Sequence, residues 1–294
     1  MCIRDSFTHN AGSPNGPIDG GIAVFASGNE YANSAGFPGA ASMCVSVAAT
    51  AADFTPATYT NYGPGTNISA PGGDRDYYWD YGEGALRGEA GCVFSTLPYN
   101  VSETGFGYME GTSMACPHVS GVVALGLSYA AQQRRHFTAD EFKKLLYETA
   151  TPIDDYIQGT KFYYRYAYDL GYTNPTQMML SNYTGQMGVG QVNAKRLLDA
   201  IAQNGTPMRF PNLYIPLDGE VTTLPATFFL NGESLTYTVT IENQAVATSR
   251  TEGAKIIFSG LKEGSTKASI AASDGTTHNF NITVRKSASG SGWL

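Results

Sequence analysis

Over its first two hundred residues the chain alternates short, continuous apolar runs with longer segments of helical spacing. Ile22-Ala23-Val24-Phe25-Ala26 follows a glycine pair, and Val45-Ser46-Val47-Ala48-Ala49 is a second run of the same kind. Asn67-Ile68-Ser69-Ala70, closed by Pro71-Gly72-Gly73, is a third, and Val93-Phe94-Ser95-Thr96 a fourth. Runs this short and apolar predict strands covered on both faces of a parallel sheet, since a strand with one wet face would alternate. From Met114 to about Ala131, the positions of Val119, Val122, Val123, Leu125 and Leu127 leave almost no polar side, which predicts a helix enclosed by protein. Thr138-Ala139-Asp140-Glu141 has the form of a capping box and opens an amphipathic helix through Phe142, Leu145 and Leu146. A further helix is expected over residues 191–202. Strands that alternate with helices predict a layered α/β domain.

Past residue 205 the periodicity changes. Asn204-Gly205-Thr206-Pro207 reads as a linker, and after it come short alternating runs around Leu213, Leu235, Ile256, Ala268 and Phe280, separated by Gly, Asp and Asn turns. That pattern predicts an antiparallel β-sandwich. The expected organisation is a first domain over 1–204, an all-β sandwich over 205–286, and a flexible Ser/Gly tail over 287–294.

Composition narrows the classes of function. With 294 residues, 42% hydrophobic and 15% charged, the chain can bury a sizeable core and is no charge-rich disordered polymer. A net charge of −7 speaks against nucleic acid as a partner. No run of apolar residues reaches the roughly 20 needed to span a membrane, so none is expected. The cysteines at 2, 44, 92 and 116 show no CxxC pair, and Cys44 and Cys116 lie in apolar segments; all four are expected to be structural thiols. Met1-Cys2-Ile3-Arg4-Asp5-Ser6 has neither the apolar core nor the cleavage site of a signal peptide. The expectation is that the start is truncated or an assembly artefact, with residues 1–6 foreign.

The candidate chemistry centres on Gly111-Thr112-Ser113-Met114-Ala115-Cys116-Pro117-His118-Val119-Ser120-Gly121. Ser113 sits at the start of the predicted apolar helix, where unpaired N–H groups and the positive end of the dipole would meet a developing negative charge. Gly111 lets a substrate backbone come close, and Pro117 falls in the first turn, where a missing N–H does little harm. Taken singly, Ser113 would be read as a helix cap.

The whole string resembles the nucleophile motif of the subtilase family of serine peptidases, departing mainly at Cys116, where a small residue such as Ser is usual. Two other segments resemble family segments in the expected order. Phe25-Ala26-Ser27-Gly28-Asn29-Glu30 is similar to the strand end that carries the oxyanion asparagine, and Tyr62-Gly63-Pro64-Gly65-Thr66-Asn67-Ile68-Ser69-Ala70-Pro71-Gly72 to the Gly-Pro…Ala-Pro-Gly stretch. Met187-Gly188-Val189-Gly190-Gln191-Val192-Asn193-Ala194 resembles the segment that enters the last helix. The likeness covers about residues 20–203, the C-terminal half to two-thirds of such a domain. It implies a subtilisin-like three-layer fold with a mostly parallel sheet, N-terminally truncated, and a serine endopeptidase acting on protein or peptide substrates. By this resemblance Ser113 is the nucleophile, and Asn29 with the Ser113 N–H is the oxyanion donor pair. Ala26, Ser27 and Gly28 would wall the pocket for the side chain before the scissile bond, with Gly111 and Thr112 beside the substrate.

The family's acid and base are expected to be absent. His118 is on the nucleophile's own helix and points elsewhere; His136 and His278 sit in surface-like contexts; His9, in Thr8-His9-Asn10, lacks the His-Gly-Thr context of the family's base. A chain without that base is expected to be inactive alone. No cofactor is needed for the chemistry and no metal is assigned. A structural calcium or sodium ion is conceivable near Phe37-Pro38-Gly39, where the family often has a cis proline, or at Asp74, Asp76 and Asp80. The acidic spacing is no EF-hand, and a solvated loop is the favoured reading. The aromatics Phe162, Tyr163, Tyr164, Tyr166 and Tyr168 are expected to pack on the surface. The second domain resembles bacterial Ig-like modules of secreted enzymes, which implies a spacer or a cell-surface or glycan contact, and a secreted or surface location. The alternatives are an inactive subtilase-fold binding module and an adhesin acting through the Ig-like domain.

Overall fold

A computed structural model of the chain describes residues 3–13, 16–78, 89, 91–163, 166–167, 171–172 and 176–286. Cys2, Asp80, Tyr164, Tyr168 and the 287–294 tail lie outside the described residues. The described residues divide into two compact units: the first ends at Asn204, and the second runs on from Gly205 and takes in two earlier stretches, 13–17 and 130–136.

The first unit begins with α1 (Ile3–Asn10) and is organised on a parallel sheet of β1 (Ala23–Ala26), β2 (Cys44–Thr50) and β3 (Ile68–Pro71), in that spatial order. Ala26 stands opposite Val47, and Val47 opposite Ile68, so all three strands end on the same side. Every residue of the central strand β2 is buried, as its unbroken apolar run predicts. Among the described strands β1 lies at the sheet edge, and its four residues are only half-buried. Phe37-Pro38 is a cis peptide bond.

The fourth apolar run does not join this sheet. β4 (Val93–Thr96) forms an antiparallel pair with β5 (Phe106–Met109), and both carry exposed aromatics, Phe94 at 58% and Phe106 at 49%. The hairpin leads directly into α2 (Thr112–Gln132). This helix departs from expectation. Ala115, Val119, Val123 and Ala130 are buried along one stripe, whereas Pro117, His118, Ala124 and Leu125 are exposed. Gly126 marks the closest approach on the buried side: a Cβ there would lie 2.9 Å from Phe142 and 3.1 Å from Leu197. Contrary to the reading of the apolar runs, this 21-residue helix is long and apolar enough by length and composition alone to cross a membrane.

α3 (Ala139–Glu148) has the capping box expected of it, with the Thr138 hydroxyl accepting from Glu141 N and the Glu141 carboxylate accepting from Thr138 N. An antiparallel pair, β6 (Thr160–Tyr163) with β7 (Thr176–Met179), follows. Tyr163 and Met178 enter a core with Ile153, Ile157, Leu180 and Met187, so the aromatic segment is not wholly superficial. α4 (Ala194–Ile201) is shorter than predicted because Asn193 caps it, accepting from Arg196 N at 3.0 Å.

The second unit holds two sheets around one apolar core. β8 (Leu213–Pro216), β10 (Tyr237–Ile241), β13 (Gly264–Ala272) and β14 (Thr277–Arg285) form one sheet in the order β8-β14-β13-β10. β9 (Glu220–Thr223), β11 (Ala247–Glu252) and β12 (Lys255–Gly260) form the other, with β12 central. Phe258 and Ile256 of the smaller sheet meet Ile270, Phe280 and Ile282 of the larger in one cluster. The sandwich is not purely antiparallel: β8 runs parallel to β14, with Leu213 opposite Ile282. His278 is not at the surface either. It is 8% exposed, its Nε2 lies 3.1 Å from Phe228 O, and burial lowers its pKa.

Candidate active site

Ser113 is the second residue of α2 and is exposed to solvent. Its N–H belongs to the first turn and so has no carbonyl behind it in the helix. The hairpin reaches the helix through Gly111, whose φ of +141° is a conformation that a side chain would oppose. The turn closes with Met114 N and Ala115 N donating to Gly111 O at 2.9 and 3.2 Å.

Asn29 arrives from the other side, just past the end of β1. Gly28, at φ +113°, makes the bend, and a Cβ there would come within 2.3 Å of the Asn61 side-chain nitrogen. The Asn29 Oδ1 accepts two hydrogen bonds from Thr112, from the backbone N and from Oγ1, each at 2.9 Å. With both lone-pair directions occupied by Thr112, the amide is oriented and its Nδ2 faces away. Where it faces is shown by the empty space above Gly111. A Cβ placed on Gly111 would lie 3.6 Å from Ser113 N, 3.7 Å from Asn29 Nδ2 and 3.7 Å from Met114 Sδ. One point above Gly111 thus lies within 3.7 Å of two nitrogen donors from distant segments.

The other predicted residues fall as follows. Gly111 and Thr112 are buried, and Gly28 N donates to Thr112 Oγ1 at 3.2 Å, so Thr112 ties the two loops together. Ser27 is fully buried with its hydroxyl on Asn61 O at 3.2 Å, while Ala26 and Gly28 are half-buried. A hollow of about 420 Å³ is lined by Phe94, Leu97 and Met109 of the hairpin region and by Met114, Pro117 and His118 of α2.

No imidazole reaches the hydroxyl among the described residues. His118 is five residues on, about 140° around the helix, and its Nδ1 lies 2.8 Å from Met114 O. His9 Nδ1 lies 2.8 Å from Asp5 O, and His136 Nδ1 lies 2.7 Å from Gly16 O. His278 is in the sandwich.

Sequence reasoning missed the support beneath the site, which is a single segment, residues 58–61. Asn61 Oδ1 accepts from Glu30 N and Ala32 N at 2.9 and 3.0 Å, pinning the loop after Asn29. Thr60 Oγ1 accepts from Ala49 N at 2.9 Å. Thr58 holds Asp74 through its N at 3.0 Å and its hydroxyl at 2.6 Å. Asp74 also receives Lys161 Nζ at 3.0 Å, and both side chains are almost wholly buried. Asp74 is therefore committed to protein donors, not held out in a solvated loop for a cation. Burial pushes its carboxyl up, and the Lys161 ammonium opposes that. Among the described residues no group of three or more His, Cys, Asp or Glu could hold a metal ion. Among the described residues, Cys44, Cys92 and Cys116 form no disulfide.

Glu110, next to Gly111, and Asp76 are both half-buried. Burial pushes Glu110 up to about 7, against the hydrogen bond it accepts from Arg75 N. Burial, and then the nearby Asp74, push Asp76 up to about 6.

Residues 7–206 match the family model described as "Subtilase family". The chain is 33% identical over 139 residues to alkaline elastase YaB of a Bacillus species, a match covering 47% of this chain and 30% of that protein. It is 34% identical over 133 residues to an extracellular basic protease of Dichelobacter nodosus, covering 45% and 20%. With an extracellular protease of Xanthomonas campestris it shares 35% over 121 residues, covering 40% and 18%. The chain thus matches less than a third of the length of each of these relatives.

Proposed function

The chain belongs to the subtilase family, and from that premise we propose that it carries the nucleophile and oxyanion half of a secreted serine endopeptidase. Ser113 Oγ attacks the scissile carbonyl, and the carbonyl oxygen moves into the position above Gly111 as it gains charge. The observation that carries this reading is that Ser113 N and Asn29 Nδ2 both lie within 3.7 Å of that position. Collapse expels the amine and leaves the acyl group on Ser113, which water then removes. Ala26 and Gly28, half-buried at the strand end, offer a small-residue wall for the side chain before the cleaved bond. The relatives named extracellular support a secreted location.

Among the described residues no histidine is hydrogen-bonded to Ser113, so the acceptor that takes its proton and later gives one to the departing amine is a group these residues do not supply. Loss of the base costs on the order of 10⁶ in turnover, the size found in subtilisin, and leaves oxyanion and binding catalysis of roughly 10³–10⁴ over water. These 294 residues alone are therefore a silent peptidase that keeps its oxyanion site. The two-sheet unit, in this reading, is an Ig-like spacer with no part in the chemistry. No calcium is needed for any step.

A fluorophosphonate probe tests the assignment, because its phosphoryl oxygen needs the same two donors. Slow labelling that maps to Ser113, and not to the other exposed serines, is the expected result. Labelling spread evenly over surface serines overturns it.

A further inference from the structure

We infer that Tyr59 is the residue that sets the separation of the two oxyanion donors, a positioning role that rests on the reading of Ser113 and Asn29 above. Tyr59 touches both halves of the site with different atoms. Its carbonyl accepts from Tyr31 N at 3.2 Å, holding the loop that begins at Asn29. Its hydroxyl oxygen accepts from Gly111 N at 2.8 Å, holding the residue that leads into Ser113. The same hydroxyl donates toward Gly73 O at 2.7 Å and Gly72 O at 2.9 Å, so the glycine turn after β3 is drawn into the same knot.

The knot leaves no slack. A Cβ on Gly72 would lie 2.8 Å from Gly111 O, 3.0 Å from the Tyr59 hydroxyl and 2.5 Å from the Ala49 side chain. Among the described residues, Gly111 N has one other acceptor, Gly72 O at 3.0 Å. Gly111 itself holds a φ of +141°, which the surroundings must impose since a glycine left alone has wide freedom. Removing the hydroxyl deletes one acceptor for Gly111 N and the donor for Gly73 O, and leaves the packing of the ring in place. The Ser113 N–H, two residues on, then wanders relative to Asn29 Nδ2, which Thr112 and Asn61 still restrain.

The test uses the whole chain, ¹⁵N-labelled, and needs no turnover. N-acetyl-Ala-Ala-Ala carboxylate is titrated at pH 7.5, since a product carboxylate places an anionic oxygen where the oxyanion forms. The wild-type chain should show the Ser113 amide and the Asn29 side-chain amide moving together with one Kd. Tyr59→Phe should weaken that Kd by roughly three- to tenfold, the size expected for one hydrogen bond, and shrink the Ser113 shift more than the Asn29 shift. An unchanged Kd and an unchanged shift ratio in Tyr59→Phe overturn the role of Tyr59 and leave the donor pair intact. Absence of any shift at Ser113 and Asn29 in the wild type overturns the donor pair itself. Should Tyr59→Phe not fold, hydrogen exchange in the wild type decides: the Gly111 amide must be protected, and fast exchange there overturns the inference.

Discussion

Asn29 and Thr112 are joined by two hydrogen bonds onto one oxygen, Thr112 N and Thr112 Oγ1 each donating to Asn29 Oδ1 at 2.9 Å. A side-chain amide has a donor end and an acceptor end, and filling the acceptor end fixes which way the donor end points. Asn29→Ala should therefore slow fluorophosphonate labelling of Ser113 by roughly 10²–10³-fold, the range measured for such a donor in a subtilisin. Thr112→Val keeps the backbone donor and the shape but removes one of the two bonds to Asn29 and the acceptor for Gly28 N, so its effect should still be smaller, on the order of tenfold. Equal labelling rates in Asn29→Ala and wild type would show that the amide is not a donor.

That pair also shows what a sequence can and cannot reveal. Ser113, Asn29 and Gly111 are singled out by the family resemblance of the contiguous strings that hold them, since local chemistry alone would read Ser113 as a helix cap. The partners that hold them are not. Tyr59, Asn61 and Lys161 act across long sequence separations, and nothing in Tyr59-Thr60-Asn61 announces a hydroxyl aimed at Gly111. Lys161 shares its aromatic stretch with Arg165 and lies 87 positions from Asp74, so nothing local ties it to that carboxylate. The parallel strands were legible from their unbroken apolar runs, but the exposure of α2 was not, because composition states how apolar a face is and not what covers it. The departure of β4 into a separate hairpin escaped for the same reason.

Glu110 makes stability depend on pH. In the unfolded chain it titrates in the ordinary glutamate range near 4.5, whereas in the folded chain burial pushes it up to about 7. Below pH 4.5 both states hold the proton and no difference exists. Between about 4.5 and 7 the unfolded state releases its proton first, so raising the pH through this window favours unfolding, and the penalty is complete above it. Glu110→Gln can still accept from Arg75 N and carries no charge. Its thermal midpoint should match wild type at pH 4 and exceed it increasingly up to pH 7; a gap that does not vary with pH would refute the assignment.

The buried Lys161–Asp74 pair predicts an asymmetry between single and double substitution. Lys161→Met leaves a carboxylate in an almost fully buried site with only Thr58 to serve it, and should cost about 3–5 kcal/mol in urea unfolding. Asp74→Asn strands the ammonium in the same way, apart from its bond to Pro56 O at 2.6 Å. The double variant should recover much of the loss, because neither charge then remains buried without a partner. Additive losses in the double variant would mean that the two charges do not see one another.

His118 gives the sharpest check on which group activates the nucleophile, since it is the histidine nearest to Ser113 in sequence. The helix turns it about 140° from the serine, and its Nδ1 is engaged with Met114 O at 2.8 Å on the exposed side. From there the imidazole cannot take the Ser113 proton without unwinding the first turn, which would also displace the Ser113 N–H from the oxyanion position. His118→Ala should therefore leave the labelling rate of Ser113 within a factor of about two, at every pH tested. A hundredfold fall would make His118 the base.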